Sequence, residues 1–455
     1  MPKKRAVALF GLGALLVAGC SAPVMAPIAT GKTPVIIDND GAFDDIKAIL
    51  FLLDQPDVQI VAITVSGTGI AHCPEAAENI SAMLERIGAP EIPVACGRQT
   101  PLAGDNAAPQ VWRDAADTLG GVALPDPRPL SDLSAPELLA EAIEHAGDDA
   151  VIVALGPLTN LAEAVEADPD LLDGVSMMYL MGGAVDAGGN VLWAGADAEF
   201  NIWADPAAAG AVFGTTMPIT LVPLDATNQL PVTPYLYEAV AAHREASATS
   251  RFLAEYLDVS PLFGGLYHWD ELAAVASVDE SVVTIEERLL AVVTEGSRQG
   301  ATVESPDGRP VRVAVGADRS QFESHFYAAM IGTADPGIPP WEPDAVISWD
   351  GSACTYEGPD PLPGNLFLRI DNAGESPIAF VTGVYAAGTT TADFEAALEA
   401  AEEGVPDWWL PSTQIIAPKG AHDVWPVRGG EGMTGLCYLD PGNVWEMVGP
   451  RLPEG

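Results

Sequence analysis

Between residues 33 and 333 the hydrophobic positions follow two alternating rhythms. Short unbroken apolar runs, Val35-Ile36-Ile37, VQIVAITV (58–65), AVIVALGPLTN (150–160) and MMYLMGG (177–183), each lead into polar, glycine or small residues. Between them, AENISAMLERIG (77–88) and PELLAEAIEHAG (136–147) place apolar side chains at helical spacing. Unbroken apolar runs suit strands covered on both faces, and helices between successive strands are the crossovers that parallel pairing needs. The pattern predicts an α/β fold, a mostly parallel sheet covered by helices, over 33–333. Functional residues then belong on the loops that follow the strands.

The rhythm changes after a proline-rich linker at 334–344, which contains DPGIPPWEPD. Beyond it, NLFLRIDNAG (365–374) and PIAFVTGVY (377–385) read as an antiparallel pair, and TTADFEAALEAAEEG (390–404) as one helix. Residues 345–455 are expected to form a separate small, mainly-β domain. A copper site there would need two histidines or more. His422 is the segment's only one, and its sequence reveals no role.

The first twenty residues follow neither rhythm. Lys3, Lys4 and Arg5 precede an apolar stretch from Ala6 to Ala18, and the run closes on Leu16-Val17-Ala18-Gly19-Cys20. This reads as an export signal, too short for a span of about 20 residues. Its end resembles the bacterial lipobox, which implies cleavage before Cys20 and lipid on that thiol; the alternative is an ordinary cleaved signal with an incidental cysteine. Residues 21–32 then form a tether. The protein is expected outside the cytoplasm, in the cell envelope, touching a membrane only through that anchor. Export turns Cys73, Cys96, Cys354 and Cys437 into candidate disulfide partners. Four cysteines allow three pairings, of which Cys73–Cys96 with Cys354–Cys437 is the economical one. Each closed loop is worth roughly 3–4 kcal/mol if unstrained. None has metal-site spacing.

The chain of 455 residues carries a formal charge of −44. Most of that charge is expected to be solvated surface, and its functional consequence is exclusion: nucleic acid and other polyanions are repelled. A neutral small molecule suits such a surface better than a phosphorylated one.

The densest chemistry lies in VIIDNDGAFDDIKAILFLL. A buried strand ends in Asp38 and Asp40, turns through Gly41, and enters a helix carrying Asp44 and Asp45. Like charges packed this closely, with no Lys or Arg before Lys47, call for a hard divalent cation held by oxygen. Three later segments offer polar groups at the same sheet edge: GPLTN (156–160) with Thr159, MGGAVDAGGNVLWAGADAEFNIWADP (181–206) with Asn190, Glu199 and Asn201, and LYHWDELAAV (266–275) with Asp270. Taken singly, each reads better as a cap or turn residue than as a ligand, and Asp270 would make an ordinary N-cap.

DNDGAFDD, GPLTN, MGGAVDAGGN, AEFNI and HWDELAA resemble, in order and approximate spacing, the calcium-dependent nucleoside hydrolases. The likeness covers 33–333 and is nearest the inosine–adenosine–guanosine-preferring branch, through Gly41, the Trp269-Asp270 pair and the Trp112-Arg113 pair. The resemblance implies hydrolysis of the N-glycosidic bond of purine ribonucleosides to free base and ribose. It implies Ca2+ held by Asp40, Asp45, the carbonyl of Thr159 and Asp270, filling roughly 6–8 oxygen positions together with substrate and water. Asp40 matches the general base, and Asp44, Asn190, Glu199 and Asn201 match the ribose grip, with Met181 lining the pocket. Trp112 and Trp269 match a pair that sandwiches the purine. The implied partner is a nucleoside, and a homodimer is allowed but not indicated. Two positions depart from the pattern: Thr68 stands where an Asn or Asp is usual, and Ala42 where the branch has an amide.

Two rivals fail on single residues. A phosphatase of the haloacid-dehalogenase type also begins Asp-x-Asp-Gly but needs a later lysine, and none lies between Lys47 and Lys419. An EF-hand would need a bidentate Glu where Ile49 stands. The rival from another class is a lipoprotein that binds nucleosides for uptake without cleaving them. His268, inside an aromatic patch, is expected to be structural.

Overall fold

The computed structural model describes residues 25–191, 194–259, 267–338, 343–358 and 365–374, and the backbone of further strands as far as residue 448. The first domain is built on nine strands: β1 (Thr33–Asn39), β2 (Val58–Val65), β3 (Val94–Cys96), β4 (Val151–Ala154), β5 (Met177–Met181), β6 (Ile219–Val222), β7 (Val283–Val292), β8 (Thr302–Glu304) and β9 (Arg309–Ala317). They lie in the order β3-β2-β1-β4-β5-β6-β9-β7-β8. Pairing is parallel from β3 across to β9, and antiparallel where β7 joins β9 and β8. The mostly parallel sheet expected from the apolar runs is therefore present.

Twelve helices are described: α1 (Phe43–Asp54), α2 (Glu75–Ile87), α3 (Gln110–Ala116), α4 (Ala135–Ala146), α5 (Thr159–Ala167), α6 (Phe200–Ala204), α7 (Pro206–Phe213), α8 (Leu224–Thr227), α9 (Pro234–Ala242), α10 (Ala248–Val259), α11 (Trp269–Val278) and α12 (Arg319–Ile331). They cover both faces of the sheet because the strands are apolar on both. Val35 and Ile37 point into a core shared with α1, α2, α10, α11 and α12. Ile36, between them, points into the opposite core with α4, α5 and α7. Successive side chains of a strand face opposite ways, so a run with no polar break must be buried twice.

Strand order reverses between β1 and β4, with β2 and β3 to one side and β5 and β6 to the other. At such a switch the loops leaving neighbouring strands diverge and open a crevice at their carboxyl ends. Asp40 and the residues after Leu155 lie at the mouth of that crevice.

The chain from residue 25 lies against the domain. Met25 and Ile28 pack on the second core, and Gln59 takes the Ala29 N–H at 2.9 Å while donating to the Pro27 carbonyl at 3.1 Å. Cys73 and Cys96 form a disulfide. Cys354 is also disulfide-bonded, to a side chain outside the described residues. Cys20 and the expected export signal lie outside them as well. Among the described residues no helix is long and apolar enough to cross a membrane.

The C-terminal segment is β as expected, in two four-stranded sheets. One has the order β11-β10-β12-β15 and the other β14-β13-β16-β17. The strands are β10 (Ala345–Trp349), β11 (Cys354–Glu357), β12 (Asn365–Asn372), β13 (Ile378–Val384), β14 (Leu410–Ala417), β15 (His422–Arg428), β16 (Met433–Leu439) and β17 (Val444–Val448). The expected antiparallel pairing of 365–374 with 377–385 is wrong. β12 runs parallel to β10 and antiparallel to β15, whereas β13 pairs with β14 and β16 in the other sheet. The chain does not fold back after Asn372: Ala373 N–H bonds the Trp349 carbonyl at 2.8 Å and Asn372 Oδ1 accepts the Gly374 N–H at 2.9 Å. The exit of β12 is thus tied to β10. Two strands with one apolar face each satisfy the same pattern in separate sheets as in a hairpin. The helix expected at 390–404 lies outside the described residues.

Candidate active site

β1 ends in the acidic run, and the turn after it is specified residue by residue. Asn39 donates to the Thr64 carbonyl at 2.8 Å and accepts the Gly41 N–H at 3.0 Å. Gly41 has φ +72°, and a Cβ there would meet Ala76 Cβ at 2.5 Å. Only glycine makes this turn without strain. Helix α1 follows at once, with Asp44 and Asp45 in its first turn, where the helix dipole favours negative charge. The Ala42 N–H is shared by Asp45 Oδ2 at 2.7 Å and Asp40 Oδ1 at 3.2 Å. Asp40 Oδ2 accepts the Ile70 N–H at 3.1 Å.

Helix α11 brings a second N-terminus to the same place, with Asp270 and Glu271 in its first turn. Carboxylate oxygens of Asp44, Asp45 and Asp270 come within 4.8 Å of one another. Asp40, Asp45 and Asp270 are buried. Burial drives every member of this cluster toward the protonated form: Asp44 up to about 7, helped by the neighbouring Glu271 charge, and Asp45 and Asp270 well above the usual carboxylate range. Asp40 is raised by the same cause. A hard cation removes that demand, because it compensates the charge that burial penalises. The donors suit one. All are oxygens, and Asp45 Oδ1 is buried without a hydrogen-bond partner among the described residues. Asp44, assigned to the ribose grip by resemblance, stands inside this group.

Thr159 opens α5 on the other side of the crevice. Its hydroxyl donates to Asp205 Oδ2 at 2.9 Å and lies 2.8 Å from the Thr68 hydroxyl, which lies 2.6 Å from that of Ser66. A hydroxyl has one hydrogen to give. With Thr159 donating to the carboxylate, Thr68 must donate to Thr159 and Ser66 to Thr68. The departure at Thr68 therefore builds a directional hydroxyl chain that fixes the start of α5. Space around Asp40 is kept by glycine: a Cβ on Gly69 would lie 2.1 Å from Asp40 Oδ2, and one on Gly156 2.8 Å from Asp40 Cβ.

The expected ribose-grip residues are anchored to backbone. Glu199 caps α6: Oε1 accepts the Asn201 N–H at 2.8 Å, and Oε2 those of Gly183 at 2.9 Å and Ile202 at 3.1 Å. Burial nonetheless pushes its carboxyl up to about 7, with the Asp40 charge adding to the effect. Asn201 Nδ2 donates to the Leu155 and Met181 carbonyls at 3.0 and 3.1 Å, and lies 3.4 Å from Met181 Sδ. Asn190 Oδ1 accepts the Phe200 N–H at 2.9 Å, tying its loop to α6. Glu199, Asn201 and Met181 converge at the ends of β4 and β5, beside Asp40.

Trp112 is 42% exposed on α3. Trp269 leads α11, 5.5 Å from the Tyr267 ring, with its indole N–H buried and unpartnered among the described residues. His268 is buried between Phe322 and Phe326 at 5.0 and 5.3 Å, and burial holds it below the usual histidine range. Its place is inside the aromatic patch that the sequence marked.

Four features were not foreseen. Asp38 Oδ1 accepts from Thr64 at 2.7 Å and Asn160 at 2.8 Å, joining β1 to β2 and α5. Asp205 caps α7 and gathers Leu102 and Thr159. Arg113 Nη1 donates to the Gly69 carbonyl at 2.8 Å, and Nη2 to those of Gly67 at 2.9 Å and Ala71 at 3.4 Å. Lys47 and Glu271 pair inside the protein. Asp38, Arg113 and Lys47 each stood out in the sequence, Lys47 as a charge inside an apolar helix run, but not with these partners.

This fold and this site are those of a nucleoside-cleaving hydrolase. The family model described as inosine-uridine preferring nucleoside hydrolase matches residues 35–324. Uridine nucleosidase 1 from Arabidopsis thaliana is 34% identical over 275 residues, 59% of this chain and 81% of its own length. The pyrimidine-specific ribonucleoside hydrolase RihA of Klebsiella pneumoniae is 32% identical over 285 residues, 59% of this chain and 88% of its own. A solved purine-preferring ribonucleoside hydrolase from Gardnerella vaginalis superposes with TM-score 0.58 at 29% identity, covering 66% of this chain and 99% of that one. The chain belongs to the inosine–uridine-preferring nucleoside hydrolase family, whose members are N-glycosyl hydrolases acting on ribonucleosides.

Proposed function

We propose that this protein hydrolyses purine ribonucleosides in preference to pyrimidine ones, in a calcium-dependent reaction with Asp40 as general base. The observation that carries the reading is the meeting of two helix N-termini whose Asp44, Asp45 and Asp270 oxygens lie within 4.8 Å of one another, beside Asp40. Asp40, Asp45, Asp270 and the Thr159 carbonyl would hold calcium, which when bound acidifies a coordinated water. Asp40, its two oxygens aimed by the Ala42 and Ile70 N–H groups, takes the proton of the attacking water. The water oxygen bonds C1′ as the C1′–N bond breaks, and the base departs with the bonding pair and gains a proton. Asp44, Asn190, Glu199 and Asn201 hold the ribose hydroxyls, and Met181 floors the pocket. Trp112 and Trp269 stack on the departing purine.

Purine preference rests on that tryptophan pair; relatives named for uridine or pyrimidine make the contrary outcome an explicit test. Inosine turning over faster than uridine supports the reading, and the reverse order removes it. Asp40→Asn keeps an oxygen but deletes the base, so turnover is expected to fall at least about 10²–10⁴-fold, with nucleoside binding much less affected. Trp269→Ala is expected to slow purine nucleosides and spare a nitrophenyl riboside, whose leaving group needs no help. Equal loss on both substrates would make Trp269 a packing residue.

The lipid anchor at Cys20 and an extracytoplasmic location complete the proposal, as does autonomy of the catalytic domain from 345–455. The Cys73–Cys96 disulfide supports an oxidising compartment. Radiolabelled palmitate appearing in the wild-type protein but not in Cys20→Ser is the test of the anchor.

A further inference from the structure

We propose that the buried ion pair Lys47–Glu271 is a positioning joint that holds the N-terminal turns of α1 and α11 in the alignment that brings Asp44, Asp45 and Asp270 together. The inference rests on the calcium reading above. Lys47 Nζ lies 2.5 Å from Glu271 Oε1, and neither side chain is exposed to solvent. Lys47 follows Asp45 by two residues on α1, and Glu271 follows Asp270 directly on α11. The same Oε1 lies 3.1 Å from His268 Nδ1. The imidazole is gripped by Phe322 and Phe326 of α12, so the joint is braced from a third helix.

An ion pair carries no net charge, so it does not discharge the carboxylates around it. What it supplies is a contact of fixed length and direction. The remaining α1–α11 packing comes from side chains such as Ile46, Ile49, Leu272 and Val275, all in one apolar core. Apolar contacts are non-directional and tolerate small slides of one helix along another. Three carboxylates facing each other across the same interface repel and push the two helix starts apart. The pair sits where it opposes that push. Burying two charges is a costly way to join two helices and adds little net stability over apolar residues of the same volume. Its placement beside the ligands gives it a purpose that packing alone does not.

The experiment titrates calcium into chelator-stripped full-length protein by calorimetry. Wild-type protein that binds no calcium defeats the proposed function itself, before the joint is in question. Given wild-type binding, Lys47→Met/Glu271→Met removes both charges of the pair together, so neither is left buried without its partner. It is expected to fold with a denaturant midpoint near wild type, yet to bind calcium at least about tenfold more weakly, with kcat for inosine falling more than KM rises. Lys47→Met alone adds one uncompensated negative charge beside Asp270. A purely electrostatic role predicts tighter calcium binding in that variant, and a positioning role predicts weaker binding. Unchanged affinity in the double variant, or tighter binding in Lys47→Met, overturns the proposal.

Discussion

Replacing Arg113 by methionine tests how Asp40, the proposed general base, is aimed. Arg113 is almost fully buried on α3, and its fork fastens the loop 67–71 through the carbonyls of Gly67, Gly69 and Ala71, with Nε on His72 Nε2 at 2.9 Å. His72 is held in turn by Asp117, 2.7 Å from Nδ1. That loop supplies two bonds to Asp40: Ile70 N–H to Oδ2, and Ala71 N–H to the main-chain carbonyl at 3.0 Å. Methionine retains the aliphatic stem and deletes the donors, stranding the Gly67 and Gly69 carbonyls. Two bonds from a charged donor at about 1.5–3 kcal/mol each give a loss of about 3–6 kcal/mol, less whatever water recovers. The cation also favours ionised Asp40, so its removal moves the acid limb of the kcat/KM profile to higher pH. Urea unfolding in excess calcium measures the first effect, and initial rates on inosine across pH the second. Arg113→Lys separates them, since it keeps the charge without the fork; it should keep the pH profile and lose most of the stability. An Arg113→Met protein within about 1 kcal/mol of wild type and with an unmoved profile would refute the reasoning.

Three further outcomes are expected. Burial pushes Asp38 from 3.8 up to about 7; the folded state prefers the proton, so this contribution to stability is intact at low pH and lost as pH rises through that window. Asp38→Asn keeps an acceptor for Thr64 and Asn160, and should remove about 2–3 kcal/mol of the decline in unfolding free energy between about pH 5 and pH 8.5; parallel curves for the two proteins would show the carboxyl does not titrate there. Gly69→Ala drives a methyl onto Asp40 Oδ2 and should cost about 10²-fold or more in kcat, with circular dichroism unchanged; wild-type turnover would mean the loop yields freely. A fragment of residues 25–338 contains the whole nine-stranded sheet and every candidate ligand, so it should fold and cleave inosine; a soluble, inactive fragment would show that the C-terminal sheets complete the site.

The sequence made legible whatever depends on neighbours along the chain. VQIVAITV is β2 to the residue, and AENISAMLERIG and PELLAEAIEHAG lie within one or two residues of α2 and α4, because an unbroken or periodic apolar run constrains its own conformation. The strand–carboxylate–glycine–helix order at 35–45 gave away the acidic edge for the same reason. What stayed hidden depends on distant partners. Arg113 stands in the sequence only as half of the Trp112-Arg113 pair until the carbonyls of 67–71 are seen around its fork. Asp205 looks like a cap, and it is one, but its second oxygen also collects Leu102 and Thr159. Lys47 marked the end of the acidic stretch that holds no cation, while nothing in the sequence set apart its partner Glu271. The β12–β13 error has a related origin, since alternation records that a strand has an apolar face and not which sheet receives it.

The disulfide joins Cys73 to Cys96 across a sequence separation of 23. Cys73 stands two residues beyond Ala71, whose N–H holds the Asp40 main chain, and Cys96 closes β3 at the far side of β2. The covalent link therefore ends the loop beside Asp40 on a fixed post without help from any bound group. Protein produced in a reducing cytosol would carry the same sequence and ligands with that post removed. Two preparations of one polypeptide would then differ in how tightly the loop beside Asp40 is held. The history of a thiol pair, remote from any bond broken in the reaction, becomes a variable of its kinetics.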